Sequence, residues 1–172
     1  MMDHSPEKTR VQLRPMRLED IEQVLAIDVL SFSLTWTERS YRFDLTENPA
    51  AALWVAEVVE EEGQPRLAGM IATWFIIDEV HVATFAVHPD YRRLGIGRKL
   101  LAHALLHSAY KGANTAMLEV RRSNLGAQTL YQQFGFMEVG VRARYYCDNN
   151  ENALLMNLQP IDVEKIQGLE KM

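Results

Sequence analysis

Cysteine and long apolar runs are both scarce in this sequence of 172 residues. A single cysteine, Cys147, leaves no pair for a disulfide within the chain and no cysteine cluster for zinc. His103 and His107 are four apart on a predicted helix, but no third ligand follows nearby, so we expect no metal. No apolar run approaches the ~20 residues that cross a bilayer. The N-terminal MMDHSPEKTR also lacks the apolar block of a secretory signal. We therefore expect a cytoplasmic protein with no membrane partner.

The sequence also lacks a general excess of positive charge. It contains 18 Lys and Arg and 23 Asp and Glu, which gives a net charge of -5. This balance argues against a surface that coats nucleic acid, and we expect no nucleic-acid partner. The local pattern differs between residues 91 and 99, where the four charged side chains are all cationic. They are Arg92, Arg93, Arg98 and Lys99. This segment indicates a site for a small anionic ligand.

Hydrophobic periodicity predicts one α/β domain over residues 10–160, with tails at 1–9 and 161–172 that lack clear periodicity. A strand, VQLRPM, and two helices come first, and Thr37 is the expected N-cap of the second helix. Two strands separated by a turn at Gly63 and Pro65 predict a hairpin. The strand EVHVATFAV, the helix GRKLLAHALLHSAYKG and the strand TAMLEV then predict a crossover. A further helix, closed by Gly135, and two last strands complete a mixed sheet.

Two glycines, Gly95 and Gly97, lie in HPDYRRLGIGRKLL between a predicted strand and a predicted helix. The first N–H groups of a helix have no partner within it and carry partial positive charge, so they attract anions. The spacing does not fit a Walker A loop, and Leu100 stands where a dinucleotide-binding turn has its third glycine. Taken alone, the pattern also fits an ordinary glycine turn with solvated arginines.

Three blocks of sequence, in chain order, add to the evidence from the glycine loop. They are DEVHVATFAVHPDYRRLGIG over 78–97, LEVRRSNLGAQTLYQQFGF over 118–136, and YYCDNNENALLM over 145–156. Together they resemble the GCN5-related N-acetyltransferase (GNAT) superfamily, and within it the RimI-type protein N-terminal α-acetyltransferases. The resemblance implies a mixed, mostly antiparallel sheet of six or seven strands flanked by about four helices. It also implies acetyl-CoA as co-substrate and the N-terminus of a protein, of the ribosomal-protein type, as acceptor.

The resemblance assigns the cofactor-binding residues. The loop would hold the CoA pyrophosphate, Asn124 the pantetheine amides and Tyr131 the sulfur. Backbone N–H groups of a strand would meet the thioester carbonyl. The strand residues are Phe85, Ala86 and Val87, and the loop residues are Arg92, Arg93, Leu94, Gly95, Ile96, Gly97 and Arg98. For Asn124 a helix N-cap is an alternative compatible with ligand contact.

Two residues match the catalytic positions of the family. Glu119 is the candidate base, because strand alternation puts it with Met117 on the face opposite Leu118 and an α-amine with a pKa of about 7.7–8 gives up its proton readily. Tyr131 is the candidate acid, because a phenol with a pKa of about 10 stays protonated at neutral pH. The alternatives are a solvated strand carboxylate and a packing tyrosine.

The acceptor site is implied to involve Trp36, Tyr145 and Tyr146, for which ordinary packing is an equal alternative. Two departures from the family pattern affect acceptor preference. The sequence reads LTWT over 34–37 where P-W-S is common, and Glu151 is followed by Asn152 where aspartate is usual. A small amine or a lysine side chain therefore remains an alternative acceptor, and a non-catalytic acyl-CoA sensor is a third interpretation.

Overall fold

The computed structural model describes residues 10–59 and 63–172, and in this part of the chain a seven-stranded sheet is flanked by five α-helices. The strands are β1 (Arg10–Pro15), β2 (Ala51–Val59), β3 (Arg66–Ile76), β4 (Glu79–Val87), β5 (Thr115–Arg121), β6 (Met137–Tyr146) and β7 (Glu151–Leu158). The α-helices are α1 (Ile21–Ser31), α2 (Glu38–Thr46), α3 (Ile96–Tyr110), α4 (Leu125–Phe134) and α5 (Val163–Glu170). Short 3₁₀ turns cover Leu18–Asp20 and Pro89–Tyr91.

The sheet order is β1-β2-β3-β4-β5-β7-β6. Strands β4 and β5 pair in parallel, as the predicted crossover through α3 requires, and the other described neighbours pair antiparallel. The predicted caps also form, since the Thr37 side chain accepts from the Ser40 N–H and Gly135 ends α4 in the left-handed conformation. The predicted mixed, mostly antiparallel sheet is confirmed. No helix in the described residues is both long and apolar enough to cross a membrane.

The helices cover both faces of the sheet. On one face, α1 and α2 bury Val24, Ile27 and Tyr41 against β2 and β3. On the other face, α3, α4 and α5 contribute to a larger apolar cluster that includes Leu100 and Phe134. Each strand residue therefore belongs to an α1–α2 face or an α3–α4 face, and this division determines which side chains can meet at the site.

The segment after Pro160 differs from the expected tail. Residues Val163–Glu170 form α5, whose N-cap Asp162 accepts a hydrogen bond from the Lys165 N–H at 3.0 Å. Ile166 has no exposed surface and packs in the cluster beneath α3. The apolar positions of α5, Val163, Ile166 and Leu169, recur at helical spacing and pack in this cluster, but they cover only about two turns of an otherwise polar segment; α5 makes five helices instead of about four. The other expected tail, 1–9, lies outside the described residues.

Strands β4 and β5 pair only where Glu79–His81 lies beside Thr115–Met117, and they separate beyond these residues. Strand β4 also carries an extra residue, because Thr73 pairs with Val82 while Ala72 pairs with Thr84. Ala83 is therefore left opposite no residue of β3, which is a β-bulge. The sheet thus has an opening between β4 and β5 that side chains from both faces can border.

Candidate active site

The loop after β4 has the backbone shape of an anion-binding turn. Arg93 and Gly95 have φ angles of 67° and 77°, and α3 begins directly afterwards at Ile96. The glycine at 95 suits this left-handed conformation, which costs other residues about 1–2 kcal/mol. Arg92 fixes the loop to the strand, since its Nε donates to the Val87 carbonyl at 3.0 Å. The first N–H groups of α3 are thereby held at the end of β4.

Arg98 gives an independent indication of an anionic ligand here. Its Nε is buried and has no hydrogen-bond partner among the described residues. A Cβ added at Gly95 would lie 3.3 Å from Nη2 of the same guanidinium, so this cation lies directly against the loop. A buried N–H of a guanidinium is costly to leave unpaired. The residues therefore fit a group such as a pyrophosphate, which would accept from Arg98 and from the helix N-terminus.

Glu119 lies in the middle of β5, on the face opposite its buried neighbours Leu118 and Val120. Its side chain is 18% exposed, and Oε2 lies 2.8 Å from Nε2 of His81. Oε1 lies 3.7 Å from a guanidinium nitrogen of Arg142. The hydrogen bond to His81 lowers the pKa of Glu119 below its usual range, although burial acts in the opposite direction. The carboxylate is therefore ionised at neutral pH, as a base must be.

His81 is a site residue that the sequence did not single out. The register pairs His81 with Met117, two residues before Glu119. The side chains of His81 and Glu119 both point to the α1–α2 face. Its ring also makes an edge contact with Trp74 at 6.0 Å between centroids. A lone histidine in EVHVATFAV gives no functional signal by itself, and the pairing of β4 with β5 is needed to bring it to Glu119.

Tyr131 belongs to the opposite, α3–α4 face. It is 6% exposed, and its ring centroid lies 6.4 Å from that of Phe85 and 5.8 Å from that of Phe136. Burial raises the pKa of the Tyr131 phenol, so the hydroxyl stays protonated throughout the neutral range. The side chain is thus a packing tyrosine with a proton to donate. Asn124 caps α4, because its Oδ1 accepts from the Ala127 N–H at 3.1 Å.

The β6–β7 hairpin is tied to the end of β5 by Arg121. Its guanidinium donates to both carboxylate oxygens of Asp148, at 3.0 and 2.9 Å, and to Glu151 at 3.2 Å. It also lies 3.9 Å above the Tyr146 ring. Burial is the main reason that the pKa of Tyr146 rises to about 12. Arg121 therefore sets the position of Tyr146, one of the predicted acceptor-site residues.

Asn152, one of the two departures from the family pattern, and its neighbour Glu151 have local structural roles. The Oδ1 of Asn152 accepts from the Arg144 N–H at 2.9 Å and holds the end of β6 where Arg144 has a φ of 54°. Glu151 accepts from the Ser123 N–H at 2.7 Å, and hydrogen bonding to Ser123 lowers the pKa of Glu151 to about 2. Tyr145 stays 47% exposed beside the Tyr146 ring.

Trp36 reaches the site through a series of ring contacts. It lies 5.2 Å from Tyr41 and stacks on Trp74 at 5.9 Å. Since Trp74 contacts His81, the series leads from the α1–α2 loop to Glu119. The structure thus brings Trp36 to the same face as the candidate base, while Tyr131 borders the opening from the other face.

The two helical histidines lie away from this site. His103 and His107 contact the Trp54 ring at 4.3 and 5.0 Å, and burial lowers the pKa of both. Over residues 10–59 and 63–172, no group of three or more His, Cys, Asp or Glu side chains could hold a metal ion. The lack of a metal stays a prediction.

The mixed sheet, the anion-binding loop after β4 and the ionised Glu119 at the sheet opening fit an enzyme that transfers an acyl group from CoA. The model of the acetyltransferase (GNAT) family matches residues 21–136, and the chain belongs to this family. It is an N-acetyltransferase.

The names of individual relatives state a more specific activity than the family description does. A Bacillus subtilis protein that carries the proposed name ribosomal protein bS18-alanine N-acetyltransferase is 40% identical over 149 residues, which cover 87% of this chain and 95% of that protein. The ribosomal protein bS18-alanine N-acetyltransferase of Escherichia coli K12 is 35% identical over 130 residues, covering 74% of this chain and 77% of the other. A crystal structure of the E. coli ribosomal-protein-S18-alanine N-acetyltransferase superimposes with a TM-score of 0.76 at 28% identity, covering 89% and 95% of the two chains.

Proposed function

We propose that this enzyme transfers the acetyl group of acetyl-CoA to the N-terminal amine of a protein, with alanine at the first position and a ribosomal protein as the acceptor. The observation that carries the proposal is the Glu119–His81 pair, 2.8 Å apart, at the opening between β4 and β5. The names of the B. subtilis and E. coli relatives support the choice of acceptor. A ribosomal acceptor would in turn require the enzyme in the cytoplasm, as the sequence predicts.

The chain would hold acetyl-CoA at the residues that the sequence resemblance assigned. Arg98 and the first N–H groups of α3 would hold the pyrophosphate, with Arg93 adding positive charge nearby. Asn124 and Tyr131 lie seven residues apart, two turns along α4, and would flank the pantetheine arm. When bound, acetyl-CoA supplies the acetyl group as an activated thioester. Phe85, Ala86 and Val87 follow the bulge at Ala83 and would offer backbone N–H groups to the carbonyl.

The proposed chemistry uses one group from each face of the sheet. Glu119 accepts a proton from the acceptor ammonium, directly or through water, which leaves a neutral amine. His81 donates its Nε2–H to the carboxylate and so fixes the direction of the base. The neutral amine then forms the C–N bond at the acetyl carbon while the C–S bond breaks, and Tyr131 donates its phenolic proton to the departing sulfur on the other face. The second proton of the amine leaves to solvent, from which Tyr131 is reprotonated. Trp36, Tyr145 and Tyr146 would border the acceptor chain where it approaches Glu119.

A substrate panel tests the proposal. The purified protein is given acetyl-CoA with peptides that differ at the first residue, with the same peptides carrying a blocked N-terminus and an internal lysine, and with small amines. Thiol release is followed, and the acetylated atom is located by mass spectrometry. We expect turnover on free N-termini and a preference for alanine. Turnover only on lysine or small amines would overturn the acceptor assignment, and tight acetyl-CoA binding without any turnover would indicate a sensor.

A further inference from the structure

A cavity of about 670 Å³ lies beside Trp36, between α2 and the adjoining ends of β2 and β3. Its walls include two tryptophans, and Phe43 and Ile76 stand at its edge. The volume falls within the roughly 300–1,000 Å³ of small-ligand sites. Neither Glu119 nor the residues proposed to bind acetyl-CoA line this cavity.

The polar groups of the cavity wall are already paired. Trp74 donates its Nε1–H to one oxygen of Asp44 at 2.8 Å, and the Asn48 side chain donates to the other oxygen at 2.8 Å. Asp44 itself is 6% exposed. These bonds fix the Trp74 ring and occupy the carboxylate. An occupant therefore meets mainly aromatic and aliphatic surface, with the cation Arg39 as the charged lining side chain that is open to solvent.

The edge of the cavity is unusually apolar for an exposed surface. Phe43 and Ile76 are 50% and 56% exposed, and the neighbouring Ile77 is 89% exposed. Ile77 has a φ of 62° in the tight turn between β3 and β4. A β-branched residue is a clear outlier in this left-handed conformation, where glycine or asparagine is favoured. Ile77 lies next to Ile76 and extends the exposed apolar edge of the cavity.

The cavity is linked to the candidate base by a series of side-chain contacts on the same face of the sheet. Glu119 contacts His81 at 2.8 Å, His81 contacts Trp74 at 6.0 Å between ring centroids, and Trp74 stacks on Trp36 at 5.9 Å. An extended peptide advances about 3.3–3.6 Å per residue. A chain whose amine lies at Glu119 and that runs over His81 would therefore reach Trp74, the nearer of the two tryptophans, with its third or fourth residue.

We propose that this cavity is an acceptor subsite that receives an apolar, preferably aromatic, side chain at the third or fourth residue of the protein N-terminus being acetylated. The proposal rests on the proposed function. Its physical basis is burial of an apolar side chain between Trp36, Trp74 and Phe43, where aromatic rings pack edge-to-face or stacked. Arg39 disfavours a lysine or arginine at the same position.

The test moves one phenylalanine along an acceptor peptide. Peptides that begin with alanine carry phenylalanine at position 2, 3, 4, 5 or 6 in an otherwise glycine–serine background, and an all-glycine–serine peptide is the reference. We expect kcat/KM to peak at position 3 or 4, about tenfold above the reference, as burial of one aromatic side chain predicts. Lysine at the preferred position should give no such gain. Calorimetric titration of the same peptides into the CoA-bound protein should show the same order of affinities.

Ile76→Thr tests the cavity itself, with Val59→Thr as the matched control. Both residues are exposed, β-branched and at a strand end, but Val59 lies at the far end of β2 from the cavity. We expect Ile76→Thr to bring the phenylalanine-to-reference ratio of kcat/KM close to one, and Val59→Thr to keep the wild-type ratio. A general loss of folding would lower both peptides alike and leave the ratio unchanged.

The outcomes separate the two proposals. Acetylation of all peptides with no dependence on the phenylalanine position, or a preference for lysine there, would overturn the subsite and leave the N-terminal acceptor intact. Turnover on small amines with none on any peptide would overturn the acceptor assignment and the subsite together.

Discussion

Replacement of Glu119 by glutamine is the most direct test of the proposed base. The amide has nearly the shape of the carboxylate, and its oxygen can still accept the hydrogen bond that His81 donates at 2.8 Å. The fold should therefore tolerate the change, and acetyl-CoA should bind as before, because Arg98 and the start of α3 are untouched. What is lost is the ability to take a proton from the acceptor ammonium.

The magnitude follows from the role of the carboxylate. A positioned general base contributes about 100- to 10,000-fold to a rate, so kcat with the preferred peptide should fall by that factor in Glu119→Gln. The pKa of Glu119 is lowered chiefly by His81, so the wild-type carboxylate is ionised well below neutral pH. The wild-type rise of kcat/KM with pH should therefore follow the acceptor amine, with a pKa of about 7.7–8, and Glu119 should limit the rate only in acid.

The assay is steady-state thiol release with peptide and acetyl-CoA varied in turn, together with a thermal melt of each variant. Glu138→Gln is the matched control, because Glu138 is an exposed strand glutamate on β6. It should retain wild-type kcat. If Glu119→Gln also keeps wild-type kcat at saturating peptide, the carboxylate is not the base and the mechanism proposed for this face of the sheet is wrong.

Three further variants test other parts of the structure. Tyr131→Phe should lower kcat while acetyl-CoA affinity and melting temperature stay close to wild type, because the ring keeps its packing; an unchanged kcat would contradict the acid role. Arg98→Met should weaken acetyl-CoA binding, measured by calorimetry, by about ten- to a hundredfold, since a charged hydrogen bond contributes about 1.5–3 kcal/mol; wild-type affinity would remove Arg98 from the anion site. Ile166→Ala should lower the free energy of unfolding in urea by about 2–5 kcal/mol, because the side chain is fully buried; no change would show that α5 is dispensable.

The order of the elements could be predicted because each boundary has a local chemical cause. Thr37 caps α2 and Gly135 ends α4 in the conformation that glycine favours, so both limits are visible in the sequence. The loop with Gly95 was recognisable for the same reason, since a left-handed residue before a helix demands a particular residue type. Helix α5 was not predicted, because its three apolar residues, Val163, Ile166 and Leu169, cover only about two turns of an otherwise polar segment.

The candidate base could be located from the sequence, but its environment could not. Alternation along TAMLEV places Glu119 on one face of a strand, and nothing local to that strand indicates which neighbour meets it. The meeting with His81 depends on the parallel register between β4 and β5, which the crossover through α3 establishes at long range. Trp74 is a similar case, because its partner Asp44 comes from a helix 30 residues earlier in the chain.

The division of the sheet into two faces accounts for the arrangement of the whole site. Glu119, His81, Trp74 and Trp36 lie on the α1–α2 face, whereas Tyr131 and the start of α3 belong to the other face. The two faces meet where β4 and β5 stop pairing beyond His81. In the proposed arrangement, acetyl-CoA held by α3 and α4 and an acceptor held by α1 and α2 would approach each other without sharing a binding surface. Changes in the proposed acceptor cavity beside Trp36 should accordingly alter peptide choice without altering acetyl-CoA affinity, and changes at Arg98 should do the reverse.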